Sequence, residues 1–217
     1  MIAAVSLAPQ APGIARGQSI SVLRRIHDPA VALALWERKL SRAFALWLDT
    51  LAPDRLPHGR VLAGTADAHA ALAAILHRSA TPDHPMARLL LADAAMLARR
   101  FAAVAGSDTI DIRLEAVRHD ACWKFHVDDV KFRLLTTYRG PGTQTVSPAH
   151  AGDALARQRD YTGPLDEIPP RNVALFKGAR SGAGVVHRSP PITGSGIVRL
   201  VLCVNLPSAA SPPAWTP

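Results

Sequence analysis

Cysteine is nearly absent: Cys122 and Cys203 are the two that a chain of 217 residues carries. That excludes a disulfide-stapled scaffold and the paired-cysteine spacing of a zinc finger, and it fits a reducing, cytoplasmic setting. Aromatic residues make up 5% of the chain, too few for a platform on which bases stack. No apolar stretch approaches the roughly 20 residues of a membrane-spanning helix. The apolar start has no basic residue before it and meets Pro9 and Pro12 early, so it is a poor signal peptide. Runs of like charge are missing too. The net charge of +8 comes from arginines scattered along the chain, so a nucleic-acid partner rests on net charge alone and ranks last. What remains is globular: 48% hydrophobic residues and 19% charged.

Residues 1–25, rich in Pro, Gly, Ala and Ser, read as a loose leader. A single domain is expected over residues 26–207, with a helical layer at 26–106 and a β-barrel at 107–207, followed by a Pro-rich tail at 208–217. Asp28 is a good N-cap, and Pro29 suits a first helical position. Leu33, Trp36, Leu40, Phe44, Trp47, Leu48 and Leu51 recur at helical spacing, which predicts one long amphipathic helix from Pro29 to Leu51. A shorter helix is expected from Ala66 to Arg78, and a third from Met86 to Gly106. Beyond Gly106 the hydrophobic period drops to two. Strands are expected at Thr109–Val117, Cys122–Val127, Val130–Tyr138, Asn172–Lys177, Gly184–Arg188 and Ile197–Asn205. The polar stretch Ser147–Pro170 reads as a long loop. Helices followed by strands give an α+β chain. The strand count fits a double-stranded β-helix, the jelly-roll or cupin-like barrel, in the C-terminal half, packed against the N-terminal helices.

Read as a strand, Asp120-Ala121-Cys122-Trp123-Lys124-Phe125-His126-Val127-Asp128 has an apolar face and a chemical one. Cys122, Lys124, His126 and Asp128 share the chemical face, and Asp129 points away. His126-x-Asp128 places an imidazole beside a carboxylate, two thirds of a two-His-one-carboxylate metal triad. His187, in Gly184-Val185-Val186-His187-Arg188, is the natural third ligand. On the last strand Arg199, Val201, Cys203 and Asn205 face one way, and Leu200, Leu202 and Val204 the other. A buried guanidinium needs an anionic partner, and its planar fork suits a carboxylate. Plainer readings are a hydrogen-bonded His126–Asp128 pair, a hairpin histidine at His187, and an ion pair of Arg199 with Glu115 or Asp111. Lys124 could bind an anion or simply be solvated. Cys122 keeps a thiolate-bearing zinc site open.

The order His126-x-Asp128, then His187, then Arg199 resembles the site layout of the non-haem Fe(II)/2-oxoglutarate-dependent dioxygenases. That resemblance implies His126, Asp128 and His187 as Fe(II) ligands and Arg199 as the clamp on the distal carboxylate of 2-oxoglutarate. The Arg-x-Ser pairing of some members is absent, since Val201 stands two after Arg199. A second resemblance covers more of the chain. Phe132-Arg133-Leu134-Leu135-Thr136-Thr137-Tyr138-Arg139-Gly140-Pro141-Gly142-Thr143 and Val186-His187-Arg188-Ser189-Pro190-Pro191, together with the His126-Val127-Asp128 segment, are similar to the domain of unknown function 1826 family. It comprises bacterial proteins, some encoded near zinc-homeostasis genes. Two functions therefore stand: an oxygenase acting on an unknown substrate, or a non-enzymatic Zn(II)-binding protein with a cupin-like barrel. They part at Arg199, which the first needs and the second does not.

Overall fold

The computed structural model describes residues 13–182 and 184–216. The chain begins there with strand β1 (Gly13–Gly17), which lies parallel to β2 (Val31–Trp36). Between them Ile20–His27 forms a 3-10 helix, capped by the Ser19 hydroxyl, that buries Val22, Leu23 and Ile26. Residues 13–25 are thus ordered in a strand and a 3-10 helix, with Val22 and Leu23 in the core, and are not a loose leader; residues 1–12 lie outside the described residues. Val22, Leu23 and Ile26 form one apolar face, and the neighbouring Gly and Ser residues conceal that pattern in the sequence.

The long helix expected over Pro29–Leu51 is two elements. Val31–Leu35 is an unbroken apolar run buried on both faces, between β1 and strand β8 (Val173–Lys177). A run of that length satisfies a central strand as well as a helix, and the tertiary neighbours decide. The helix α1 (Arg42–Thr50) starts afresh at Ser41, whose hydroxyl accepts from Phe44 N. Strand β3 (Gly59–Gly64) and helices α2 (Ala68–Arg78) and α3 (Pro85–Ala105) follow. Gly106 ends α3 at φ +68°, a left-handed position that glycine takes without a Cβ penalty. Strands β4 (Thr109–Val117), β5 (Phe132–Arg139), β8 and β10 (Arg199–Asn205) complete a seven-stranded sheet in the order β1-β2-β8-β5-β10-β4-β3, antiparallel except for β1 with β2.

The expected loop Ser147–Pro170 contains helix α4 (Pro148–Arg157), with Ser147 and Pro148 at its start. It also contributes β7 (Asp166–Glu167) to a small sheet, β7-β6-β9, with β6 (Gln144–Thr145) and β9 (His187–Arg188). The tail is not free of the core either. Trp215 N donates to Leu62 O at 2.7 Å, Ala214 bridges β3, and Ser211 bonds to Asp111.

Alternation along the large sheet sets its two faces. Ile110, Ile112, Leu114, Leu134, Leu175, Leu200, Leu202 and Val204 are fully buried against α1–α3. Each such side chain contributes about 1.5–3 kcal/mol of burial energy. The opposite face carries Arg113, Glu115, Arg133, Leu135, Arg199 and Cys203, and these line a pocket together with His126 and His187. The chain is therefore α+β, with helices behind a large sheet and the chemistry in front of it. No helix is long and apolar enough to cross a membrane among the described residues.

Candidate metal centre

The segment Cys122–Val127, expected as a strand, is mostly irregular. Cys122 sits at φ +52°, and the chain turns at Ala121–Cys122. Side chains and isolated bonds replace a ladder: Phe125 N donates to Gln158 Oε1 at 2.8 Å, and Ser189 N donates to Cys122 O at 2.9 Å. Only His126 pairs as a strand residue would. It forms an isolated bridge with His187, with His126 N to His187 O and His187 N to His126 O both 3.0 Å.

That bridge brings the three expected ligands together. His126, Asp128 and His187 offer one nitrogen or oxygen each, all within 4.8 Å of one another. His126 Nδ1 lies 2.7 Å from Lys124 O, and His187 Nδ1 lies 2.9 Å from Val185 O. A carbonyl can only accept, so each Nδ1 carries the proton and each neutral ring keeps its Nε2 lone pair for a cation. His126 Nε2 is 3.4 Å from Asp128 Oδ1, and His187 Nε2 is 3.3 Å from Asp128 Oδ2. Neither contact is a hydrogen bond, and Oδ2 has no hydrogen-bond partner although it is buried. Such an orphaned oxygen costs about 1–3 kcal/mol or more unless something fills its lone pairs. Two imidazole nitrogens and one free carboxylate oxygen are a donor set that divalent iron or zinc accepts. The residues fit a metal.

The electrostatics agree. Burial alone would raise Asp128, but His126, His187 and Arg133 outweigh it and hold the carboxyl well below the usual carboxylate range. The adjacent Asp128 carboxylate raises the His126 imidazole above its ordinary value. Phe176 stacks on the His187 ring at 4.7 Å and fixes its plane. The backbone of Asp128 is pinned by Ala179 N, which donates to Asp128 O at 2.8 Å.

Arg199 is 2% exposed and lines the same pocket. Its Nε donates to Pro141 O at 2.8 Å, and Nη2 reaches Thr137 Oγ1 at 3.3 Å. The ion pair weighed for it with Asp111 or Glu115 is not formed. Asp111 binds Arg60, Glu115 pairs with Arg113, and no carboxylate lies within ion-pair distance of Arg199 among the described residues. Burial lowers its guanidinium to about 10, so it remains charged at neutral pH. Lys124 does not share this pocket. It is exposed, with its ammonium 5.7 Å from the Trp123 ring, and lines with Asp120, Cys122, Trp123 and His126 a separate outer recess. Cys122 and Cys203 line the pocket but are not among the metal-ligating group. Asp129 faces solvent and pairs with Arg180. Arg133 lies in the segment that carries the family resemblance, which assigns it no role; its Nη1 bonds to Asp128 Oδ1 and its Nε to Asn205 Oδ1. Its place on the pocket face of β5, two residues before Leu135, is the signal that could have found it.

No curated protein matches the chain. Among solved structures it is similar to the dioxygenase for auxin oxidation 1 of Arabidopsis thaliana in its 2-oxoglutarate complex, at 12% identity over 94% of this chain and 96% of that one, with a TM-score of 0.47. A full-length Neurospora crassa protein, solved in complex with alpha-KG, gives 13% identity over 94% and 87% of the two chains, with a TM-score of 0.40. A prolyl-4-hydroxylase of Pseudomonas putida gives 13% identity over 86% and 96%, with a TM-score of 0.40. Residues 17–205 match the model of the family described as protein of unknown function DUF1826, and the chain belongs to that family.

Proposed function

We propose that the protein is an Fe(II)/2-oxoglutarate-dependent oxygenase of a substrate still to be identified. One observation carries this reading: a buried, charged Arg199, without a carboxylate partner among the described residues, shares a pocket with His126 and His187, and the Asp128 carboxylate beside those two rings keeps an orphaned oxygen. A simple zinc site has no use for that guanidinium. In this reading the facing sheets are the two halves of a double-stranded β-helix, and the protein works in a reducing, cytoplasmic setting. His126, Asp128 and His187 would hold Fe(II), which when bound supplies the activation of O2 and the oxidation of a C–H bond coupled to decarboxylation of the 2-oxo acid. The chain's own residues do the rest. Arg199 pairs with the distal carboxylate of the co-substrate, with Pro141 O and Thr137 Oγ1 holding its fork in direction. Phe176 keeps the His187 side of the centre dry. Lys124, exposed near Trp123 and Cys122, stands where an anionic substrate would pass.

The test is the metal content of protein purified without oxygen, beside a His126→Ala, Asp128→Ala double variant, followed by succinate formation from 2-oxoglutarate. Near one iron per wild-type chain, lost in the variant, with turnover that Arg199→Ala impairs, supports the reading. Zinc in the same place with no turnover would replace it with a metal-handling role. Absence of metal after both ions are supplied would overturn either.

A further inference from the structure

Arg133 touches the triad, yet the function proposed above gives it no task. It projects from β5 into the pocket, and its position is doubly fixed. Nη1 donates to Asp128 Oδ1, and Nε donates to Asn205 Oδ1 at 2.8 Å. Asn205 stands directly across from it on β10, 9% exposed, and its own Nδ2 is 3.4 Å from Cys203 Sγ. The guanidinium is thus steered by one residue while it grips another. Its side chain is 24% exposed against 3% for Asp128, so the bond forms in a mostly dry setting where a charge-assisted contact is strong. The effect is to make the two oxygens of Asp128 unequal. Oδ1 is engaged by Arg133, while Oδ2 has no hydrogen-bond partner.

The geometry points to Arg133, aimed by Asn205, as a positioning residue that presents a single oxygen of Asp128, Oδ2, to the metal. The inference rests on the reading of His126, Asp128 and His187 as metal ligands. A carboxylate free to turn about its Cβ–Cγ bond can chelate with both oxygens and take an extra coordination position. A carboxylate with one oxygen bonded to a fixed guanidinium gives up one position only, and the others stay open for a co-substrate and O2.

Co(II) is a suitable probe, because its visible absorption reports coordination number and geometry without any turnover. Wild type, Arg133→Leu, Arg133→Lys and Asn205→Ala would be titrated with Co(II) alone, with melting temperature and circular dichroism recorded for each. In Arg133→Leu we expect Co(II) binding to weaken roughly 10- to 100-fold and the absorption bands to change in position and intensity. Arg133→Lys keeps the charge without the fork and is expected to fall between that variant and wild type. Asn205→Ala, which frees the guanidinium without removing it, is expected to shift the bands the same way but less. A folded Arg133→Leu with wild-type bands and affinity would overturn the assignment. If that variant does not fold, unchanged bands in both Arg133→Lys and Asn205→Ala overturn it. A wild type that binds no Co(II) defeats the metal-site reading and this inference with it, whereas a binding wild type with indifferent variants defeats only the role of Arg133.

Discussion

The Phe176 ring lies against the His187 imidazole, centroids 4.7 Å apart and planes 29° from parallel. Phe176 is fully buried and comes from β8, whereas His187 belongs to β9 in the other sheet. The contact therefore couples the packing between the sheets to the direction of the His187 imidazole, one of the three candidate ligands. Phe176→Ala is expected to cost about 3–5 kcal/mol of stability. Metal affinity should fall as well, because the imidazole loses the wall that sets its plane. Urea unfolding and a metal titration on the same samples check both; a stability loss with intact affinity would uncouple them.

Arg199 yields a kinetic prediction. A hydrogen-bonded charge pair is worth about 1.5–3 kcal/mol, so Arg199→Ala should raise KM for 2-oxoglutarate on the order of ten- to hundredfold while metal content stays at the wild-type level. Arg199→Lys retains the charge but not the planar fork, so most of the defect should remain. Steady-state kinetics with iron determination on each variant separate the two effects.

Gly178 lies where β8 meets the Asp128 loop. A Cβ there would come 2.2 Å from Val130 O and 2.5 Å from Asp128 O, both backbone atoms. Gly178→Ala must push that loop away and break the bond from Ala179 N to Asp128 O. The expected cost is about 1–3 kcal/mol, accompanied by a fall in bound metal. Metal stoichiometry of the purified variant, read beside its melting temperature, tests this.

Asp120 fixes the loop that follows His187. Its Oδ1 accepts from Ile192 N and Thr193 N at 2.8 Å each, and Arg159 binds Oδ2. These backbone bonds come first among the causes that hold its carboxyl at about 2. The unfolded group titrates near ~3.9, so the stabilisation is complete above that pH and is lost as pH falls toward 2. Asp120→Asn should therefore melt below wild type at pH 6, and the difference should shrink between about pH 4 and pH 2. A constant difference across that range would assign the contribution to hydrogen bonding alone.

The parts of the fold readable from sequence were those whose local pattern admits one structure. Thr109–Val117 alternates without ambiguity and is the strand β4; the apolar stripe from Met86 to Val104, closed by Gly106, is the helix α3. Val31–Leu35 is not readable that way, because an unbroken apolar run has no period and one of its two strand neighbours, β8, lies over a hundred residues away. The site divides similarly. His126, Asp128, His187 and Arg199 carried their chemistry in residue type and order. Lys124 does not line the pocket of His187 and Arg199, and a left-handed Cys122 and a turn lie where a strand was expected. Asn205 could be placed on a face of the last strand, but its link to Arg133 depends on the register of β5 against β10, which no local pattern displays.

The backbones of His126 and His187 bond to each other in both directions. This stitch is made of peptide groups and owes nothing to an ion. Assembly of the pocket and its loading are then separable events, unlike in small zinc domains that fold only when charged with metal. A strong chelator should strip the centre and leave the melting curve cooperative, the far-ultraviolet spectrum intact and the site ready to refill. The protein could then be emptied and recharged with one ion after another, which makes it a convenient vessel for asking which metal the chemistry requires.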